Sequence, residues 1–498
     1  MYKQNSNIAE RIQHKKLIHV FFILLVMTLA KMNTYSQSEI AVEPDTAYKR
    51  TSTLSLSDTL LLENLLKIKS FSGKEAEAGR YLMDICKNSG LYIRQFGDQD
   101  GNFNFAASLY NLDGLKPNLI FLNHLDVSPI GTTAKWMHPP FDGKIINDEI
   151  WGRGAFDNKG GAVIQLSAIS HFVERSRNTN LPFNITFLST SCEETQCSGG
   201  IRFVLDNYFD LLNPWLVIGE GPPGIDSLIS NKPDIRVFSI ATSQKKALWL
   251  KMELTIRTNG HSSVPPLEYA NQQMVRCLYK IMDKKDDIIY INENKTILKE
   301  LGRIEGGIKG FVLKNPVIFK TFINPKIRKR KELAAIFSNT ITMTGISNPT
   351  MVQNAIPDKI VCLLDCRLLP GTDSEKFITR LKKTINNNDV LIERIFESPE
   401  VKTTPHHHPA YQKLSAAVKG YYGENTPVIP IMLPNFTDGT WFRQRGVPVF
   451  EISPIKMSKD LMNCIHGLDE RLPLDALSHG KNVFLIFINS MITEAMRP

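Results

Sequence analysis

Residues 117–129 read PNLIFLNHLDVSP, and the fold follows from them. The uncharged apolar run Leu119–Leu122 leads directly to His124 and Asp126. In an extended chain, side chains two residues apart lie on the same side, so the H-x-D spacing aims both groups into one region. Similar short apolar runs recur along the chain, several of them followed by a helix-like stripe. That alternation predicts an α/β fold, a mixed and mostly parallel sheet flanked by helices. Ligands of such sheets bind beyond the carboxyl ends of the strands, so the residues that follow each run carry the function.

Four further stretches can be read this way. In 148–172, DEIWGRGAFDNKGGAVIQLSAISHF, glycines 152, 154, 160 and 161 surround Asp157 and allow close backbone approach. Ala162, Val163, Leu166, Ile169 and Phe172 then form the stripe of a helix. In 183–209, FNITFLSTSCEETQCSGGIRFVLDNYF, the run Ile185–Ser189 leads to Glu193 and Glu194. Adjacent acids at a strand-to-helix turn point in different directions, so one can bind metal while the other carries a proton. In 213–225, NPWLVIGEGPPGI, the run Trp215–Ile218 ends in Glu220. In 463–475, NCIHGLDERLPLD, His466 occupies a polar loop after the strand-like VPVFEI of 447–452.

Each of these alone is ordinary: a structural histidine, a helix-capping aspartate, an exposed acidic pair. Five runs or loops each delivering a histidine or a carboxylate at the corresponding end are hard to reach by chance. Two histidines, three metal-directed carboxylates and a spare glutamate suit Zn²⁺, with Mn²⁺ or Co²⁺ as alternatives, better than they suit a thiolate cage. Cys192 and Cys197 flank the acidic pair without the partners of such a cage, and read as small core residues.

With 498 residues, the chain is long enough for two domains and a terminal extension. Its 42% hydrophobic and 22% charged residues exclude a disordered or polytopic membrane protein. The net charge of +9 invites a nucleic-acid reading, but no zinc-finger spacing or RNA-binding aromatic pattern accompanies it. Residues 17–30, LIHVFFILLVMTLA, follow Arg11, Lys15 and Lys16, as an export signal or an uncleaved signal anchor does. Taking away residues 1–36 (Lys3, Arg11, Lys15, Lys16 and Lys31 against Glu10) removes +4 and leaves +5. Much of the remainder is the cluster Lys326, Arg328, Lys329, Arg330 and Lys331, read as a solvated face. The expectation is an exported protein, periplasmic or extracellular, with no nucleic-acid partner and no membrane contact beyond a signal anchor.

LNHLDVSP, WMHPPFDGKIINDEIWGRGAFDNKGG (136–161), STSCEETQCSGG (189–200), GEG (219–221) and HGLDER (466–471) resemble the aminoacylase, acetylornithine deacetylase and carboxypeptidase family of dinuclear zinc hydrolases. The resemblance runs from about Leu60 to the end, in the family's motif order. GHSSVPPLEYANQQMV (260–275) and NAIPDKIVCLLDCRLLPG (354–371) look most like its carboxypeptidase S branch, which includes secreted N-acyl amino acid hydrolases. The resemblance implies two zinc ions, one held by His124, Asp157 and Glu220, the other by Asp157, Glu194 and His466, with Asp157 shared. Asp126 would orient His124, and Glu193 would be the general base. An α+β sandwich lid would interrupt the catalytic domain, dividing the chain into 37–242, 243–404 and 405–498. From that lid His261 would polarise the scissile carbonyl, and Asn354 and Arg367 would lie near the substrate's carboxylate.

The substrate implied is a short peptide or an N-acyl amino acid, cleaved by a monomer or by a homodimer formed through the lid. One departure stands out: the family's T-D-x-R appears here as FTDGTWF (436–442), with Thr440 in place of the arginine. Carboxylate recognition would then fall to Arg367 or to a neighbour such as Arg443. The stretch 283–331 matches nothing assignable, and the triplet His406–His408 reads as a surface linker. The competing class is a non-catalytic binding protein on a hydrolase scaffold, which the complete ligand set argues against.

Overall fold

The computed structural model describes residues 56–496 except 100–101, 227, 230–231, 233, 258–260, 285–286 and 350–353. The expected signal segment, 1–36, lies outside the described residues, as does part of the TNGHSS and QNAIP motifs.

Strands β1 (Tyr92–Gln99), β2 (Asn102–Ser108), β3 (Asn118–His124), β4 (Asn184–Thr190), β5 (Pro214–Gly219), β6 (Phe238–Gln244), β7 (Lys246–Thr255), β8 (Thr340–Ser347), β9 (Lys359–Leu368), β10 (Val390–Glu397), β11 (Val428–Leu433) and β12 (Val449–Glu451) build two sheets. The larger has the order β1-β2-β4-β3-β5-β12-β6-β11. Its centre, β4-β3-β5-β12, is parallel, as the apolar runs required. Every residue of β3 and β4 is buried, because helices cover both faces. Their polar side chains are paired: Asn123 accepts from Ser189 Oγ at 2.7 Å and donates to Gln165 Oε1 at 2.9 Å.

Helix α1 (Lys159–Ser170) packs beneath this sheet, and α2 (Ile201–Leu212) lies between β4 and β5 in the chain. Strands β8-β9-β7-β10 form a separate antiparallel sheet. One face of that sheet buries Leu248, Leu250, Met252 and Leu364 against α3 (Ala270–Met282). This is the lid layer, a second core inserted between β6 and β11.

The stretch that resembled nothing is helical from Asn292 on: α4 (Asn292–Glu305), α5 (Gly307–Lys314), α6 (Lys320–Arg328) and α7 (Lys331–Phe337). Helix α4 packs on β11 and so covers the edge of the large sheet. The same lid layer includes α8 (Ser374–Ile385), and α9 (Pro409–Tyr422) and α10 (Asp475–Ala495) return to the large sheet. His408 caps α9, its Nδ1 accepting from Ala410 N–H at 3.2 Å, so the histidine triplet forms a helix start.

Candidate metal and catalytic site

The five runs and loops converge. His124 is the last residue of β3 and 2% exposed; its Nε2 lies 3.1 Å from Asp157 Oδ1 and 3.1 Å from Glu220 Oε2. His466 Nε2 lies 2.9 Å from Asp157 Oδ2 and 3.3 Å from Glu194 Oε1. The two oxygens of Asp157 therefore face one histidine each. Among the described residues, two groups have donor atoms within 4.8 Å of one another: His124, Glu193 and Glu220, and Asp157, Glu194 and His466. Glu193 thus faces His124 and Glu220, beside the site that sequence gave to Asp157.

Local structure explains how each side chain arrives there. The 152–157 loop is pinned by Glu470, which accepts from Gly154 N–H at 3.2 Å, Phe156 N–H at 3.0 Å and Asp157 N–H at 3.1 Å. Arg153 Nη1 donates to the same carboxylate at 2.7 Å, and Nη2 donates to Gly467 O at 2.8 Å. A small ribbon of Lys144–Ile146, Glu149–Trp151 and Arg471–Pro473 holds the His466 loop beside the Asp157 loop. A Cβ on Gly160 would stand 2.1 Å from Ala155 O, so only glycine lets α1 begin this close to the loop. A Cβ on Gly221 would meet the Glu451–Ile452 backbone at 2.4 Å, so the Glu220 turn also depends on its glycine.

Asp126 does more than orient His124. Its backbone oxygen accepts from His124 Nδ1 at 3.0 Å, while its carboxylate is 3.4 Å from that nitrogen. The same carboxylate accepts from Glu193 N–H and Glu194 N–H, each at 3.0 Å, and from Ser72 Oγ at 2.7 Å. The buried Asp126 is thus the post to which the acidic turn is tied. Glu75, wholly buried, accepts from Cys192 N–H at 3.1 Å. Ser128 Oγ donates to Glu194, and Asn158 Nδ2 donates to Glu220 Oε2 at 2.7 Å.

Cys192 and Cys197 are not separate core residues: they form a disulfide that closes the Glu193–Glu194 turn. Weighed only against a thiolate cage, the two read as core residues.

Electrostatics follow from burial and crowding. Burial, and then the Glu220 carboxylate beside it, push Glu193 well above the ordinary carboxylate range. Burial would raise Asp157 too, but hydrogen bonds from His124 and His466 outweigh it and hold its pKa low. Those to Asp157 and Glu194 raise His466 to about 10. Burial pushes Asp438, which accepts from Thr190 Oγ1 at 3.0 Å, up to about 7. Four carboxylates facing two imidazoles leave an excess of negative charge that a low-dielectric site must offset. Oxygen and imidazole nitrogen donors without thiolates fit a pair of divalent cations.

The lid residues are placed differently. His261 and Asn354 come together, through a backbone bridge from His261 to Ala355 and a Ser262 N–H donating to Asn354 O at 3.3 Å. Both side chains are exposed, and His261 Nδ1 faces Ser263 Oγ at 2.8 Å; neither belongs to the carboxylate cluster. Arg367, on β9, gives its guanidinium to Asp365 at 2.7 and 2.8 Å, so a substrate carboxylate would have to displace that partner. Arg443 is removed from carboxylate recognition altogether. It is buried, donating to Glu451 Oε2 at 2.8 Å and Gln244 Oε1 at 2.7 Å, and Thr440 contacts that same Gln244.

Sequence reading missed Arg153, Asn158, Asp438 and Glu470. All four stood inside the quoted motifs, and for Arg153 and Glu470 a charge flanking the glycine-rich Asp157 and His466 segments was the available signal.

A family model, peptidase family M20/M25/M40, matches residues 120–490. The chain is 26% identical over 491 residues to a probable carboxypeptidase S-like protein of Dictyostelium discoideum, covering 94% of this chain and 91% of that one. It is 24% identical over 381 residues to an N-fatty-acyl-amino acid synthase/hydrolase of Homo sapiens, covering 74% of each. The fold matches that of an M20 family metallo-carboxypeptidase from Sulfolobus solfataricus. The TM-score is 0.64 at 20% identity, over 86% of this chain and 98% of that one.

Proposed function

Because the chain belongs to peptidase family M20/M25/M40, we propose that it is an exported dinuclear-metal amide hydrolase acting on short peptides or N-acyl amino acids. The observation that carries the reading is the Asp157 carboxylate, one oxygen turned to His124 and the other to His466. His124, Asp157 and Glu220 would hold one cation, and Asp157, Glu194 and His466 the other, zinc being the metal the donor set suits best. Such a pair, when bound, supplies a water ionised near neutral pH and a polarised carbonyl.

The chain's own residues do the rest. Glu193, buried and hard to ionise without compensation, takes the proton of the attacking water and returns it to the leaving amine. Asp126 fixes the turn that presents it. His261 and Asn354 approach the substrate from the lid, and Arg367 joins them once its carboxylate partner is exchanged. The domain limits proposed are 37–242, 243–404 and 405–498.

Export is supported by the basic-then-apolar segment ending at Ala30, and by the Cys192–Cys197 bond, since disulfides persist in oxidising compartments. The names of the two relatives divide between peptidase and acyl-amino-acid chemistry, both of which cleave an amide beside a carboxylate. The test is metal analysis of the purified protein beside a screen of dipeptides and N-acyl amino acids, with and without a chelator. Two equivalents of metal and chelator-sensitive hydrolysis are expected. Full activity in a metal-free preparation would end the proposal.

A further inference from the structure

The helical insertion carries a surface that hydrolysis does not use. Residues 306–331 hold Lys309, Lys314, Lys320, Lys326, Arg328, Lys329, Arg330 and Lys331, with no Asp or Glu among them. All eight are exposed. In the same stretch Ile308, Phe311, Val317, Ile318 and Phe322 are 56–74% exposed.

These apolar side chains are gathered around one turn. Ile308 and Phe311 are three apart on α5 and share a face. The Phe311 ring meets Phe319 edge-on at 5.8 Å, just before α6. Ile318 and Phe322 are four apart across the start of α6. The opposite faces are spent on a small core in which Ile323 and Ile327 pack with Leu298 and Phe337. The hairpin therefore has an inside of its own and still turns five large apolar groups outward. Contiguous exposed apolar groups rimmed by charge mark an interaction surface.

We propose that the α5–α6 turn docks on a membrane bearing anionic lipids, its apolar tip entering the headgroup layer and its cations pairing with the headgroups. A bilayer interface is the partner that uses both halves of this chemistry. A nucleic acid backbone would engage the cations and leave the exposed Ile, Val and Phe side chains in water. A second copy of the same face would set eight cations against eight. The sequence had confined any membrane role to the amino-terminal segment; this surface is a separate one, built on the lid side of the chain.

The test is flotation of the full-length chain with phosphatidylcholine vesicles, with and without phosphatidylglycerol. Wild type is expected to float with the anionic vesicles in a salt-sensitive manner. Two variants are compared in the same full-length background, so that residues 17–30 contribute equally: Phe311→Ser/Ile318→Ser/Phe322→Ser, and Lys326→Gln/Lys329→Gln/Arg330→Gln/Lys331→Gln. A cation near such a surface contributes about fivefold in partitioning, so loss of four is expected to cost more than about tenfold; loss of three inserted apolar side chains is expected to cost at least about tenfold as well. Their hydrolysis of a soluble dipeptide should match wild type, which separates lost docking from lost folding. The proposal is overturned by wild type failing to float, by both variants floating as wild type does, or by the cation variant losing oligonucleotide binding while vesicle binding persists. Self-association abolished by the serine variant, with vesicle binding unchanged, overturns it in favour of a second copy.

Discussion

Replacing Glu470 with alanine removes one member of a buried ion pair and three backbone acceptor contacts at once. Arg153 and Glu470 are each 1% exposed, so the guanidinium left behind has no route to water. Breaking a buried pair in this way costs about 3–5 kcal/mol, because the orphaned charge keeps its desolvation penalty. With 426 described residues at roughly 2.1 cal/mol/K each, the melting entropy is on the order of 0.9 kcal/mol/K. The expected drop in Tm is therefore about 3–5 °C. Activity should fall further than stability suggests, since Asp157 N–H at 3.1 Å loses its acceptor and the loop that presents its carboxylate to His124 and His466 is freed. Loss of a group that orients a ligand typically costs 10–100-fold in metal affinity or turnover. The assay combines thermal melts, metal content and kcat/KM for Glu470→Ala, Arg153→Met and Arg153→Met/Glu470→Gln. The double variant, carrying neither charge, should melt higher than Glu470→Ala. A Glu470→Ala protein melting within about 1 °C of wild type, with both metals and full turnover, would refute the assignment of this pair to the Asp157 loop.

Other outcomes follow from the same geometry. Glu193→Ala should keep both metals and lose on the order of 10²–10⁴ in kcat; steady-state rates beside metal content decide, and wild-type turnover removes Glu193 from the mechanism. Asp126→Asn offers one acceptor oxygen where two N–H groups now bind, and should lower kcat/KM about 10–100-fold with little change in Tm. His261→Ala should lower kcat more than it raises KM, and a pure KM effect would restrict His261 to binding. Thiol titration of denatured, unreduced protein should find five free cysteines of the seven; seven would exclude the Cys192–Cys197 bond.

The convergence of these histidines and carboxylates was legible because most of them sit where strands end. A parallel strand buried on both faces writes itself as an uninterrupted apolar run, and the polar residue after it has few places to go but the crevice. His124 and Glu220 illustrate this: both terminate runs that the structure makes β3 and β5. The large sheet was legible for the same reason. Helices α5 and α6 were not, because their apolar residues answer to a small local core and to an outward face together, so no single stripe emerges. Arg443 shows the opposite error. An arginine near a missing family arginine looked available, but Glu451 and Gln244 had already claimed it inside the sheet.

Positioning is harder to read than ligation because it runs through backbone. Asp126, Glu470 and Glu75 act on N–H groups, which every residue but proline carries, so nothing in the partners' identities marks the contact. What remains visible is the cost. An acid buried beside other acids is worth retaining only if it holds something in place, and all three grip N–H groups of the Asp157 loop or the Cys192–Glu194 turn. The chain therefore places carboxylates of two kinds at one centre: those gathered around His124 and His466, and those whose charge is spent on amide hydrogens to keep the first kind still. The second kind accounts for how acids so close together can hold separate roles. Glu193 and Glu194 are adjacent in sequence, yet their N–H groups are fixed to opposite oxygens of Asp126, and that bidentate grip keeps the two side chains apart.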